Sequence, residues 1–293
     1  MVDDFCKYLT QSNEDLNWGV ALTMAGFAQV APGAAYPPMQ HPAGHQFTIQ
    51  QRRILSEYQV IYITKGSGYF ESEQLNRCEV HAGSVLLLFP GVWHRYHPDS
   101  NTGWTEYYLG FKGSYIDQLV KHKFFSKDLP VMKIGKNKVI KHLFQEVFDL
   151  VKQEKSGYQQ NASGILVNLL GKIVYFSKNN AFDGEMVALV EKSKSLLNTQ
   201  ASGEVDWNEL SNTLGISYSK FRKIFKSYVG MPPGQYLLQL KVSKARELLL
   251  QTNMPLNKIA DTLGFRDQYY FNSLFRQKTG LSPGLYRKTY TLA

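Results

Sequence analysis

The sequence predicts an α+β multidomain protein: a strand-rich N-terminal part, a pair of helices, and a C-terminal part that is all α and contains two helix-turn-helix units. Three observations carry that expectation. Residues 17–113 break into short apolar runs separated by turn signals, residues 221–236 recur as 271–286, and the positive charge gathers at one end of the chain. With 293 residues, 43% hydrophobic and 13% aromatic, the chain can build a core in more than one domain and does not read as disordered.

The strand-rich part comes first. "YQVIYITKGSGYFES", "GSVLLLFPGVWHRYHPD" and "TGWTEYYLGFKG" are β-type runs, and Gly66-Ser67-Gly68, Pro90-Gly91 and Pro98-Asp99 read as turns between them. Such spacing favours an antiparallel barrel or sandwich. The opening "MVDDFCKYLT" is acidic where a signal peptide would be basic, and no apolar run approaches the ~18 residues that cross a bilayer. We therefore expect a soluble, cytoplasmic protein without a membrane partner. Cys6 and Cys78 have no metal-binding spacing and are expected to be reduced.

Next come two helical stretches, "NKVIKHLFQEVFDLVKQEK" and "YQQNASGILVNLLGKIVYFSK". The second places Ile165, Leu169, Ile173 and Phe176 on one stripe, with Leu166 and Leu170 beside it. This wide apolar face suits another helix, from this chain or a second copy. The polar "KNNAFDG" after it reads as a linker.

The C-terminal part is a duplicated unit. Phe221, Phe225, Gly230, Pro233, Gly234 and Tyr236 return 50 residues later as Phe271, Phe275, Gly280, Pro283, Gly284 and Tyr286. In the first copy Asp206 caps a helix, Gly215 ends it and Ser217 caps the next. In the second, Pro255, Gly264 and Asp267 play these parts.

The second helix of each copy divides by period. Phe221, Ile224 and Phe225, or Phe271, Leu274 and Phe275, face inward, and one of Tyr269 and Tyr270 is expected to join them. Ser219, Arg222, Lys223 and Lys226 face outward in the first copy. In the second, Gln268, Tyr269, Asn272 and Ser273 are placed to meet base edges and Arg276 a phosphate. Charge agrees with a double-stranded DNA partner: residues 184–293 hold 15 Lys plus Arg against 8 Asp plus Glu, whereas residues 1–183 hold 18 against 16.

The stretch "ARELLLQTNMPLNKIADTLGFRDQYYFNSLFRQKTGLSPGLYRK", through its Ser-Pro-x-x-Tyr-Arg ending, resembles the DNA-binding region of the AraC/XylS transcription regulators, over about 100 residues. The resemblance implies two helix-turn-helix units joined by a long helix, here about Gly234 to Gln251, that enter successive major grooves. Met231-Pro232-Pro233 and "LSNTLG" depart from the family's usual Met-Ser-Pro and small alanines. Gly83 through Tyr96 resembles the cupin-type sensor domain of sugar-responsive relatives. The implied architecture is an N-terminal cupin-like β-barrel with following helices: residues 1–113 as arm and barrel, 114–183 as helical dimerisation region and linker, and 184–293 as the tandem DNA-binding domain.

The resemblance also implies an effector pocket. Tyr96, Glu106 and Tyr108 fall at positions that line the sugar site of arabinose-responding relatives, with Trp93, His94 and Trp104 as further candidates. Arg52 or Arg53 falls near the pocket arginine; a one-residue step turns a strand side chain to the other face, and we take Arg53. The partners implied are DNA, a small-molecule effector of the sugar class, a second copy of the chain and RNA polymerase, with activation as the commoner role.

An enzyme reading finds no support in the residues. Metal-dependent cupins draw a His-x-His and Glu group from an early strand, and "EYQVIYITKG" has no histidine. His94 alone cannot hold a metal, and His41 and His45 lie in a loop broken by Pro42 and Gly44. No catalytic residue, cofactor or metal is expected. The alternative regulator is one whose barrel has lost its ligand and serves for dimerisation or partner docking.

Overall fold

The computed structural model describes residues 4–37, 52–180 and 182–290. The chain forms two compact units, divided after residue 181. His41 and His45 lie outside the described residues.

The first unit opens with β1 (Phe5–Tyr8), α1 (Asn13–Asn17), β2 (Ala21–Val30), β3 (Arg53–Ile54) and β4 (Tyr58–Ser72). It continues through β5 (Cys78–His81), β6 (Ser84–Leu88), β7 (Trp93–Pro98) and β8 (Trp104–Lys112), then α2 (Ser114–Lys121), β9 (Val131–Lys133), α3 (Lys138–Gln153) and α4 (Tyr158–Asn179). Every strand pairing is antiparallel, in the order β1-β2-β8-β4-β6-β9, and β4 also pairs with β5 and β7.

Strand β4 corrects one expectation. Gly66-Ser67-Gly68 is not a turn but the middle of a single 15-residue strand. The first half of β4 pairs with β6 and β8, and its second half with β5 and β7. The shift between Ile63 and Lys65 is the bulge that bends it from one layer to the other. Gly66 sits there at φ +76°, and a methyl on it would strike the carbonyl of Gly103. Glycine is therefore required by close approach as well as by backbone angle.

Alternation divides the strands into two cores. Leu22, Val60, Tyr62, Val85, Leu87, Tyr107, Leu109 and Phe111 face outward and are covered by α3 and α4 through Phe144, Val147, Leu166, Leu169, Leu170 and Ile173. Met24, Ile61, Ile63, Phe70, Leu86, Tyr96, Trp104 and Tyr108 fill the barrel interior. The broad stripe of α4 is thus largely consumed within its own unit, and only Ile165 and Phe176 remain half-buried at its margins. Polar contacts reinforce the docking: Gln159 exchanges two hydrogen bonds of 3.1 Å with the backbone of Leu22, and Ser163 donates to the Val20 carbonyl.

The second unit contains α5 (Gly184–Thr199), α6 (Trp207–Leu214), α7 (Tyr218–Val229), α8 (Pro233–Gln251), α9 (Leu256–Thr262), α10 (Gln268–Thr279) and α11 (Pro283–Tyr290). The expected caps are in place. Asp206 accepts from Asn208 and Glu209, Ser217 from Lys220, and Asp267 from Tyr270. Gly215, Gly230, Gly264 and Gly280 all carry positive φ at or just beyond a helix end. Arg287 donates to the carbonyls of Leu249 and Met254, tying α11 to the end of α8.

Candidate functional site

The interior cluster is built from four neighbouring strands and one loop. On β8, Trp104, Glu106 and Tyr108 share the inward face. On β7, His94 and Tyr96 do so, and Arg53 of β3 stands opposite His94. Tyr108 lies across Gly26 of β2, where a methyl would overlap its ring. Tyr36, on the loop after β2, closes the group edge-on to Trp104 at 5.7 Å and to Tyr96 at 6.1 Å.

Alternation turns Trp93 away from this cluster, contrary to expectation. It faces the other side of β7, with the Arg52 guanidinium 4.3 Å from its ring. The same parity rule sends Arg52 out and Arg53 in. The sequence quotes the two arginines equally, and only strand register separates them.

Electrostatics in this interior are governed by burial. Glu106, 4% exposed, lies 3.3 Å from the Tyr36 hydroxyl through each carboxylate oxygen. Burial pushes its pKa up to about 8, against the lowering effect of Tyr36 and Arg53, so at neutral pH it is mostly a carboxylic acid, able to donate as well as accept. Burial likewise pulls His94 down to about 4. Its Nδ1 meets the Val92 carbonyl at 3.3 Å and its Nε2 is buried without a partner among the described residues. Trp104 Nε1, Ser72 Oγ, Gln59 Oε1 and Thr23 Oγ1 are also buried and have no hydrogen-bond partner among the described residues.

Such groups are costly in a closed core and characteristic of a site that a polar molecule completes. Neither Tyr36 nor Ser72 was legible as a site residue. Tyr36 enters from a loop without periodicity, and Ser72 is the last residue of a long strand. Among the described residues no group of three His, Cys, Asp or Glu is placed to hold a metal.

The second site is the outer surface of α7 and α10. Phe221, Phe225, Phe271 and Phe275 are fully buried, while Ser219, Arg222, Lys223 and Lys226, and Gln268, Tyr269, Ser273 and Arg276, are exposed. Two details differ from expectation. Neither tyrosine completes the core: Tyr269 is 84% exposed, and Tyr270, whose ring lies 6.3 Å from that of Phe265, remains 40% exposed. Phe265, from the preceding turn, takes the core place instead. Asn272 is half-buried with its Oδ1 enclosed and unpaired, so in this rotamer it cannot present both amide atoms to an adenine.

Comparison with known proteins bears on both sites. Residues 27–170 match the AraC-like ligand binding domain, and residues 210–289 match a helix-turn-helix domain of the AraC type. The chain belongs to the AraC family.

Among curated relatives of this AraC-family chain, the MmsAB operon regulatory protein of Pseudomonas aeruginosa is 25% identical over 239 residues, 79% of this chain and 75% of that protein. The raffinose operon transcriptional regulatory protein RafR of Pediococcus pentosaceus is 22% identical over 256 residues, 83% of this chain and 89% of that one. The lactose operon transcription activator of Staphylococcus xylosus is 24% identical over 256 residues, 85% and 88% of the respective chains. The AraC-family chain is accordingly a DNA-binding transcription regulator with a ligand-binding domain, and not an enzyme. Among its described residues no helix is long and apolar enough to cross a membrane.

Proposed function

We propose that this regulator senses a sugar, or a similarly hydroxyl-rich small molecule, inside the barrel and reads DNA with α7 and α10. The observation that carries the proposal is the enclosed cluster of Glu106, Tyr36, Tyr96, Tyr108, His94 and Trp104, with Arg53 beside it. Aromatic faces suit the C–H surfaces of a sugar ring, and a neutral Glu106 and unsatisfied indole and imidazole nitrogens suit its hydroxyls. The raffinose and lactose operon relatives support that ligand class.

Coupling to DNA requires the ligand to bind two arrangements of the chain unequally. β1 brings Cys6 and Tyr8 to the interior face beside Gly26 and Met24, so a ligand held among the interior residues would bear directly on the N-terminal arm. Two copies would meet along the outward stripe of α4, where Asn161, Gly164, Asn168, Gly171 and Tyr175 are exposed. In this reading the regulator acts in the cytoplasm, and RNA polymerase is a further partner.

The test is a thermal-shift screen of the whole chain against mono- and oligosaccharides, repeated with Glu106→Ala. A saturable rise with one sugar that the variant loses is the expected result, because a ligand that binds only the folded state raises its stability. No response from any sugar, with both units folded, would overturn the sugar reading and favour a barrel used for docking.

A further inference from the structure

Among the described residues the two helix-turn-helix units share no apolar core. α6 and α7 close against α5 through Val190, Leu197, Leu210, Phe221 and Phe225. α9 and α10 close against the second half of α8, through Val242, Ala245, Leu249, Ile259, Phe271 and Phe275 among others, and no residue belongs to both clusters. Burial of apolar surface therefore holds each unit together, but it is non-directional and leaves their mutual angle to α8 and to any polar contact that spans them.

That contact is Lys241, midway along α8 and 5% exposed. Its Nζ donates to the Gly203 carbonyl, in the α5–α6 loop, at 2.8 Å and to the Gly264 carbonyl, in the α9–α10 turn, at 3.1 Å. The two loops also touch: a methyl on Gly264 would overlap the carbonyl of Gly203. Phe265 places its ring 5.5 Å from the ammonium. One turn further along α8, Lys244 donates to the Asn198 carbonyl at 3.0 Å and to Ser202 Oγ at 3.4 Å, so the same loop is held at two points.

An ammonium suits this place because the groups it meets can only accept. A methionine of similar length would fill the space and leave two carbonyls without their donor, a loss paid at the junction and not in either core.

We infer that Lys241 is a positioning residue that sets the separation and angle of α7 and α10, and with them the spacing of the two DNA segments this chain accepts. The inference rests on the reading that both helices contact DNA. Each added base pair moves the second segment by about 3.4 Å along the duplex and turns it about the axis. A rigid junction follows that step poorly; a loosened one follows it well.

The experiment uses the full chain and a two-box DNA selected by the wild-type protein from a random pool. Affinity is measured with one base pair inserted or deleted between the boxes, and on single-box probes. We expect the wild type to lose at least about tenfold on either change, comparable to one mismatched base pair. Lys241→Met should lose less than about threefold on the same changes while single-box affinity is unaltered, a loosened junction sparing the individual boxes. Lys241→Arg, which can still donate to both carbonyls, should keep the steep dependence.

A Lys241→Met profile as steep as wild type would overturn the inference. So would loss of single-box binding in both Lys241→Met and Lys241→Gln, which would make the residue a support of one unit's fold. Arg222→Ala on the single-box probes separates the underlying reading: unchanged affinity there means that α7 does not read DNA, whatever the spacing profile shows.

Discussion

The barrel interior and the outer face of α7 and α10 draw on similar residue types, aromatic rings with a few ionisable groups, and treat the charges in opposite ways. Inside, burial raises Glu106 to about 8 and lowers His94 to about 4, so both are mostly neutral at pH 7. Outside, Arg222, Lys223, Lys226 and Arg276 stand exposed and charged, and Asp267 is held below the usual carboxylate range by the Tyr270 amide and Arg266. Neutral buried groups select a ligand by the direction of hydrogen bonds. Exposed cations attract a polyanion by counterion release. The interior should therefore answer to pH and the reading face to salt.

The largest expected effect tests the interior. Glu106 has a folded pKa above its unfolded value, so its contribution is complete below about pH 4.5 and is lost as pH rises to about 8. Between those limits the first unit should lose about 1.4 kcal/mol of stability per pH unit from this group. His94 opposes it, losing stability as pH falls from 6.5 towards 4. Melting temperatures from pH 5 to 8 should fall in the wild type above pH 6.5, and Glu106→Gln should flatten that limb. Glu106 lies in the first unit, so the second unit should not show this limb.

Next in size is Gly26→Ala, whose methyl must displace the Tyr108 ring. Overpacking of this kind costs about 1–3 kcal/mol. Denaturant titration should show that loss in the first unit, with DNA affinity per folded molecule unchanged. A fully stable variant would show that the interior is looser than its geometry implies.

On the reading face, Arg222→Ala or Lys223→Ala should each cost about 1–3 kcal/mol on specific DNA where the side chain meets a base, and relax preference at one position. On the proposed reading, in which Arg276 meets a phosphate, Arg276→Ala should weaken binding to all sequences alike and lower the salt slope by about one. A variant of Glu106 that altered the salt slope, or one of Arg276 that altered the pH profile, would break the distinction between the two regions.

The helix-turn-helix repeat was legible because its signals are local. Asp206, Ser217 and Asp267 cap amides two or three residues away, and the glycines that end each helix do so through their own φ. The inward phenylalanines follow from period alone. The core place expected for Tyr269 or Tyr270 goes to Phe265, because the competition for it is settled across the turn, where periodicity gives no information.

The barrel was legible in outline and obscure in detail. "YQVIYITKGSGYFES" matches β4 residue for residue, yet its central glycines marked a bend between layers and not a turn. Trp93 and His94 are adjacent and equally suited to a sugar by composition. Which one faces inward depends on pairing with Arg53 and Ile54 about 40 residues earlier. Tyr36, Cys6 and Tyr8 reach the interior through a loop and an edge strand that carry no strong pattern.

By itself the sequence determined a duplicated, basic, helical C-terminal unit behind a strand-rich one, because caps, turns and helical period act over three to seven residues. Only the tertiary structure decided which of Arg52 and Arg53 enters the barrel, that Glu106 is held mostly neutral, that the apolar stripe of α4 is spent on its own sheet, and that Lys241 bridges Gly203 and Gly264. Those outcomes depend on strand parity, desolvation and contacts between residues 23 to 137 positions apart, which no local pattern encodes.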